Sequence, residues 1–226
     1  MLKKLSIVAL AATVTFTVVT LVGAVDADTT WNGSNGYKIY VSPAKHSPDN
    51  VGCNGHQESY WAQKAGLEAA AGLGLDLVAR GYSVRLGSGV YWQNKDSSNA
   101  WGANYHIPMH SNAPGSGSDW DCTSPYNLGQ GASGTLLMHY PGSTGGSGLS
   151  ASLVTTVAGV SPGTGQDRKI SSTCCTEITA TNAYCAYLES GFHTFQPDVD
   201  WLQGCCTSGS WTWRVGYGVD LYLGYP

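Results

Sequence analysis

Lysine and arginine are scarce in this chain, 11 among 226 residues, and they never run beyond the adjacent pairs Lys3-Lys4 and Arg168-Lys169. A nucleic-acid-binding surface needs a basic stripe, so its absence excludes that class of partner. No Cys-x-x-Cys pair occurs among the seven cysteines, which excludes a zinc ribbon. Beyond the first two dozen residues no apolar run is long enough to span a bilayer. There is no internal repeat and no linker long enough to separate domains. The length therefore suits one domain with a proper core. Charged residues make up only 12% of the chain, while Gly, Trp and Tyr number 30, 8 and 13. Low charge with abundant Gly, Ser, Thr, Trp and Tyr suits an exported protein with many loops.

The N-terminus supports export. Lys3 and Lys4 precede the apolar run LSIVALAATVTFTVVTLVGA, and Val25-Asp26-Ala27 closes it at the positions a signal peptidase reads. We expect residues 1–27 to be a signal peptide, cleaved after Ala24 or after Ala27, rather than an anchor, although the run is long for a leader. Residues 28–36 form a polar lead, and 37–226 form the folded domain. Removal of residues 1–27 takes two lysines and one aspartate, moving the formal net charge from −4 to −5. In an exported chain most cysteines should be paired, and an odd number leaves one thiol. Cys185, inside AYCAYLE, should be buried. The adjacent pairs Cys174-Cys175 and Cys205-Cys206 are expected to bond to other cysteines rather than to each other.

The period of the apolar residues gives the architecture. YKIYVSP reads as a first strand, and HQESYWAQKAGLEAAAGLGLDLVARG reads as one helix with Gly81 just past its end. YSVRLG is a strand, WQNKDSSNAWGANY a helix or loop, and YHIPMHS a third strand. After a polar loop over 114–131 come the strand GTLLMHY, a turn PGSTGGSG, and the helix LSASLVTTVAGV. AYCAYLE is the last buried strand. Pro197 starts a helix, and WTWRVGYGVDLYLGYP is a closing helix. Alternating strands and helices predict an α/β domain with a twisted, mainly parallel sheet flanked by helices.

In such a sheet, ligands bind at the carboxyl ends of the strands. His46 follows the first strand, His110 ends the third, Glu189 ends the last, and Glu58 opens the first helix. His, carboxylate and His are the usual protein ligands of a catalytic zinc that keeps a fourth position for water. A second carboxylate beside that water serves as general base. His46, Glu58 and His110 are thus the expected zinc ligands, and Glu189 the expected base. His56 is an alternative ligand in the same loop. His106 and His139 read as ordinary strand residues, and His193 could support the site from behind. Tyr60-Trp61, Tyr91-Trp92 and Trp120 could line a groove, but packing in core or loops accounts for them better.

Four of these segments, in this order, resemble the zinc-dependent N-acetylmuramoyl-L-alanine amidases of the Amidase_3 family. SPAKH stands where members carry the first ligand, here His46. Glu58 opens the first long helix. MHSNA matches the strand end IHSNA or IHANA and holds His110. AYLESGFHTF matches VLVEVGFHDN and holds Glu189, and Glu177 matches an acidic position upstream of that strand. The likeness spans residues 37–225. Two departures stand out: Thr194 and Phe195 follow His193 in place of Asp-Asn, and the chain is richer in cysteine. Cys53 lies within the metal loop, where a structural disulfide suits it better than a role as a competing ligand. The resemblance implies an enzyme that uses Zn²⁺ to cut the amide between N-acetylmuramic acid and L-alanine in peptidoglycan; we expect it to be secreted or at the cell wall, and monomeric. Two other readings remain open: another zinc peptidase of wall peptides, and a non-catalytic wall-binding module on the same fold.

Overall fold

The computed structural model describes residues 27–72, 76–114, 122–124, 131–207 and 209–225. The expected signal peptide, apart from Ala27, lies outside these residues, as do Trp120 and most of the 114–131 loop.

Among the described residues, eight strands form one sheet: β1 (Thr29–Trp31), β2 (Lys38–Pro43), β3 (Ser83–Leu86), β4 (Tyr105–Asn112), β5 (Leu136–His139), β6 (Arg168–Ser171), β7 (Tyr184–Cys185) and β8 (Tyr187–Phe192). The order is β1-β3-β2-β4-β8-β5-β6, with β7 also paired to β4. Five of the seven described pairings are parallel, as expected; β1 on β3 and β5 on β8 are antiparallel. Six described helices flank the sheet: α1 (Glu58–Ala71), α2 (Tyr91–Trp101), α3 (Thr144–Val157), α4 (Thr176–Thr179), α5 (Gln196–Gln203) and α6 (Thr212–Leu223). No described helix is long and apolar enough to cross a membrane.

Side chains alternate across a strand, so each central strand serves both faces. Ile39 and Val41 of β2, Tyr105, Ile107 and Met109 of β4, and Leu188 of β8 enter the main core with residues of α1, α3 and α6. The intervening residues Ser42, His106, His110, Tyr187 and Glu189 face the other way. On that side Ser42 meets Asn94 of α2, and His106 and His110 meet Glu177 of α4. Both faces of β4 are covered, and seven of its eight residues are buried. That double burial is the usual condition of a parallel strand.

Several expectations are corrected. The first helix stops at Ala71 rather than running to Arg80, with Gly72 as its C-cap and a turn over Asp76–Gly81. Glycine costs helix about 1 kcal/mol relative to alanine, a cost at Gly72 that the apolar period does not register. The segment PGSTGGSG is not merely a turn. The Ser143 hydroxyl accepts from the Gly146 amide at 3.1 Å and starts α3 at Thr144. The segment GTLLMHY forms β5, but antiparallel to β8, so His139 lies at the edge opposite to the ends of β2 and β4. The short elements β1, β6 and α4 carry no apolar period of their own; β6 is mostly exposed.

Candidate active site

His46 lies three residues past β2. Its backbone amide donates to Ser59 Oγ at 3.0 Å, and Ser59 Oγ donates to Asp49 Oδ1 at 2.6 Å. Asp49 Oδ1 also accepts from the Ser59 amide at 3.0 Å, where the start of α1 favours negative charge. The loop is thereby tied to the first turn of the helix that presents Glu58. A second tie is covalent: Cys53 is bonded to Cys122, as the structural reading of Cys53 expected.

Glu58 is only 2% exposed and reaches over the sheet edge. Its Oε1 accepts from the Ser111 amide at 2.9 Å, and Oε2 accepts from Asn50 Nδ2 at 2.7 Å. The same carboxylate lies 3.3 Å from His46 Nε2 through Oε2 and 3.3 Å from His110 Nδ1 through Oε1. One ligand atom from each of His46, Glu58 and His110 lies within 4.8 Å of the others. The sequence-predicted triad is therefore brought together.

His110 sits between two acids. Its Nε2 is 3.3 Å from Glu177 Oε2, and its ring stacks on Tyr187 with centroids 4.6 Å apart. Burial opposes charge on the ring, but Glu177 and Glu58 outweigh it and raise His110 to about 10. Burial likewise opposes charge on Glu58, yet His110, the Ser111 amide and Asn50 hold that carboxyl down to about 2.

Glu189 is the direct register partner of His110 across the β4–β8 ladder. The residue keeps some exposed surface, but its Oε2 is shielded and has no partner among the described residues. Burial, reinforced by Glu58 and Glu177 against the pull of His110, pushes Glu189 up to about 7. A carboxyl poised there can gain or lose a proton near neutrality.

Glu177 of α4, almost wholly buried, binds three partners. Oε1 accepts from the Ser42 hydroxyl and lies 3.1 Å from His106 Nε2, while Oε2 meets His110. Burial raises its pKa, but His106 and His110 prevail and lower it to about 2. In the sequence His106 reads as an ordinary strand residue. The spacing of His106 and His110, four apart on one strand, places both on the same face and could have flagged the pair.

The remaining histidines fall elsewhere. His56, the alternative ligand, stacks between Trp61 and His193 and is outside the triad. Burial lowers it to about 4. His193 Nδ1 lies 2.9 Å from Ser111 Oγ, which places it one residue behind Glu58. His139 Nδ1 pairs with the Tyr140 carbonyl at the far edge. Among the aromatic pairs, Tyr91 lines the cleft over His46 and His110, a space of ≈ 330 Å³. Trp61 packs against the core, and Tyr60 and Trp92 are exposed.

The cysteine expectation is corrected. Cys174 is bonded to Cys175, and Cys205 to Cys206. The first pair lies on the cleft and the second against the apolar core, so neither can reach the other. Cys185 is the free, buried thiol, as expected.

The residues present fit a divalent cation. Two histidines and a carboxylate are a catalytic zinc donor set. His46 Nε2 is shielded and makes no hydrogen bond within the described residues, although Glu58 is 3.3 Å away. A second shielded atom of the same kind, Glu189 Oε2, stands beside the triad. Glu177 holds the far nitrogen of His110, as carboxylates do behind metal-ligating imidazoles.

No protein-family model matches the sequence, and comparison with curated proteins finds no similar sequence. Solved structures do share the fold. An N-acetylmuramoyl-L-alanine amidase from Clostridium difficile 630 superposes with a TM-score of 0.61 at 14% identity, covering 84% of this chain and 96% of that one. The catalytic domain of CwlV, an amidase of the same name from Bacillus (Paenibacillus) polymyxa var. colistinus, gives 0.61 at 16% identity, covering 84% and 99%. Ami1 from Mycobacterium smegmatis gives 0.65 at 12% identity, covering 87% and 100%.

Proposed function

We propose that this protein is a secreted, monomeric, zinc-dependent amidase that cleaves the bond between N-acetylmuramic acid and L-alanine in peptidoglycan. The observation that carries the reading is the convergence of His46, Glu58 and His110 within 4.8 Å, with Glu189 as the strand partner of His110. The shared fold of the three amidases supports the choice of substrate.

His46 Nε2, a Glu58 oxygen and His110 Nδ1 would hold the cation. When bound, it polarises the amide carbonyl and acidifies the attacking water. His110, the Ser111 amide and Asn50 keep the Glu58 carboxyl ionised. Glu177 fixes the His110 ring through Nε2, which leaves Nδ1 directed at Glu58. Glu189 Oε2 accepts the proton of the water and passes it to the departing amine of L-alanine. The strand pairing holds this base beside the ligand His110, so proton transfer needs no loop closure.

The test is digestion of purified peptidoglycan by the mature protein, with and without a chelator, with products read by mass spectrometry. The reading expects free stem peptides beginning at L-alanine, lost with chelator and restored by Zn²⁺. Cuts within the peptide would move the protein to the wall peptidases. Metal-loaded protein that binds peptidoglycan and releases nothing would make it a binding module.

A further inference from the structure

We propose that the Cys174–Cys175 disulfide is a positioning element of the metal centre, acting through Glu177. The inference rests on the zinc reading of His46, Glu58 and His110.

Glu177 is carried by α4, a helix of only four residues. A single turn is not self-sustaining, because nucleation fixes several dihedrals for one hydrogen bond. Something must hold this turn in place, since its carboxylate joins β2, through Ser42, to both histidines of β4. The residue that starts it is Cys175. Its carbonyl accepts from the Ile178 amide at 3.0 Å and from the Thr179 amide at 3.1 Å. Cys175 is in turn bonded to Cys174, whose amide donates to Ser172 Oγ at 3.1 Å. A bond between neighbouring residues closes a small ring around their shared peptide and restricts the torsions on either side of it. The ring thus fixes the direction in which the chain enters α4, two residues ahead of Glu177.

Its location separates it from the other adjacent pair. Cys205 is wholly buried in the main core, away from the triad. Cys174 is exposed, and both Cys174 and Cys175 line the cleft with His46, His110 and Glu177. The pair stands outside the main core, although Cys175 also packs against the small apolar cluster of Leu136, Met138, Ile178, Cys185 and Tyr187. The disulfide bears on the carboxylate that orients a metal ligand, and groups of that kind typically govern metal affinity by about 10–100-fold.

The experiment measures Zn²⁺ affinity by competition with a chromophoric chelator. It compares wild type, the double variant Cys174→Ser/Cys175→Ser, Glu177→Gln, and all three substitutions together. We expect the double variant to bind Zn²⁺ about 10- to 100-fold more weakly. Its loss should largely vanish on a Glu177→Gln background, because the ring acts through that carboxylate. A folded double variant with wild-type affinity would overturn the proposal, as would a loss that adds in full to that of Glu177→Gln. If the double variant does not fold, folded wild type is treated with a phosphine and the opened Cys174–Cys175 bond is verified by mass spectrometry. Unchanged Zn²⁺ affinity after opening would equally overturn it. Wild type that binds Zn²⁺ yet cuts no peptidoglycan would sink the amidase reading and leave this inference standing.

Discussion

His110 and Glu189 are direct partners across the β4–β8 ladder. The spacing between the proposed metal ligand and the proposed base is therefore set by strand pairing, which holds geometry more tightly than a loop can. Glu189→Gln keeps the volume of the side chain and removes its ability to accept a proton. Turnover should fall by about 10²–10⁴-fold, with one metal per chain retained. Metal analysis beside peptidoglycan digestion checks this. Activity within a few-fold of wild type would remove Glu189 from the mechanism.

Metal affinity should rise with pH. The carboxylates of Glu177 and Glu58 outweigh burial and keep His110 protonated up to about 10. A cation arriving at Nδ1 near neutrality must displace that proton. Affinity should grow about tenfold per pH unit between roughly pH 7 and 9, with about one proton released per cation. Calorimetric titration in buffers of different ionisation heat reads both. A flat profile would mean that the ring is already neutral.

Acid should unfold the chelator-treated protein through the same cluster. Glu58 and Glu177 are lowered from 4.5 to about 2, so the unfolded chain binds protons more readily than the folded one in that window. Their contribution is complete above 4.5 and is lost as pH falls toward 2. His110 has the opposite sign: its contribution is complete below 6.5 and is lost as pH rises through about 10. Denaturant midpoints across pH should show both limbs. Glu177→Gln should flatten the acid limb.

Breaking the Cys53–Cys122 bond should loosen the metal loop. The bond spans 69 residues, and the chain-entropy relation gives about 4 kcal/mol for a closed loop of that size. Cys122→Ser, which leaves every proposed ligand in place, should lower the free energy of unfolding by up to that amount. Chemical denaturation of the metal-loaded protein is the measurement.

Much of the site was legible because strand period and residue chemistry coincide. YKIYVSP and YHIPMHS each announce a buried strand that leads to a histidine of the triad, whereas AYCAYLE, expected as one strand ended by Glu189, divides at Ala186 into β7 and β8 and carries Glu189 in the middle of β8. The parallel order followed from strands alternating with helices. What stayed hidden depends on direction or on neighbours. An apolar run does not state which way it lies, so the reversal of β5, and with it the remoteness of His139, could not be read. Glu177 stood out only by its place relative to a family pattern, since a four-residue helix has no period to detect. The two adjacent disulfides escaped because pairing depends on which elements carry the cysteines, and sequence spacing does not give that.

The alternation along β4 ties the proposed catalysis to folding in a way that changes which genetic lesions the protein can survive. Ile107 and Met109 fill the main core while His106 and His110 meet Glu177 from the opposite face. Loss of a single codon between Ile107 and His110 would break that phase. A histidine would then point into the oily layer and be lost from its contact with Glu177, so stability and the proposed chemistry would fail in one event. Point changes can harm either function alone, whereas single-codon insertions and deletions here cannot. A library of single-codon deletions should therefore leave no survivors across this strand, while the exposed edge strand β6 keeps some.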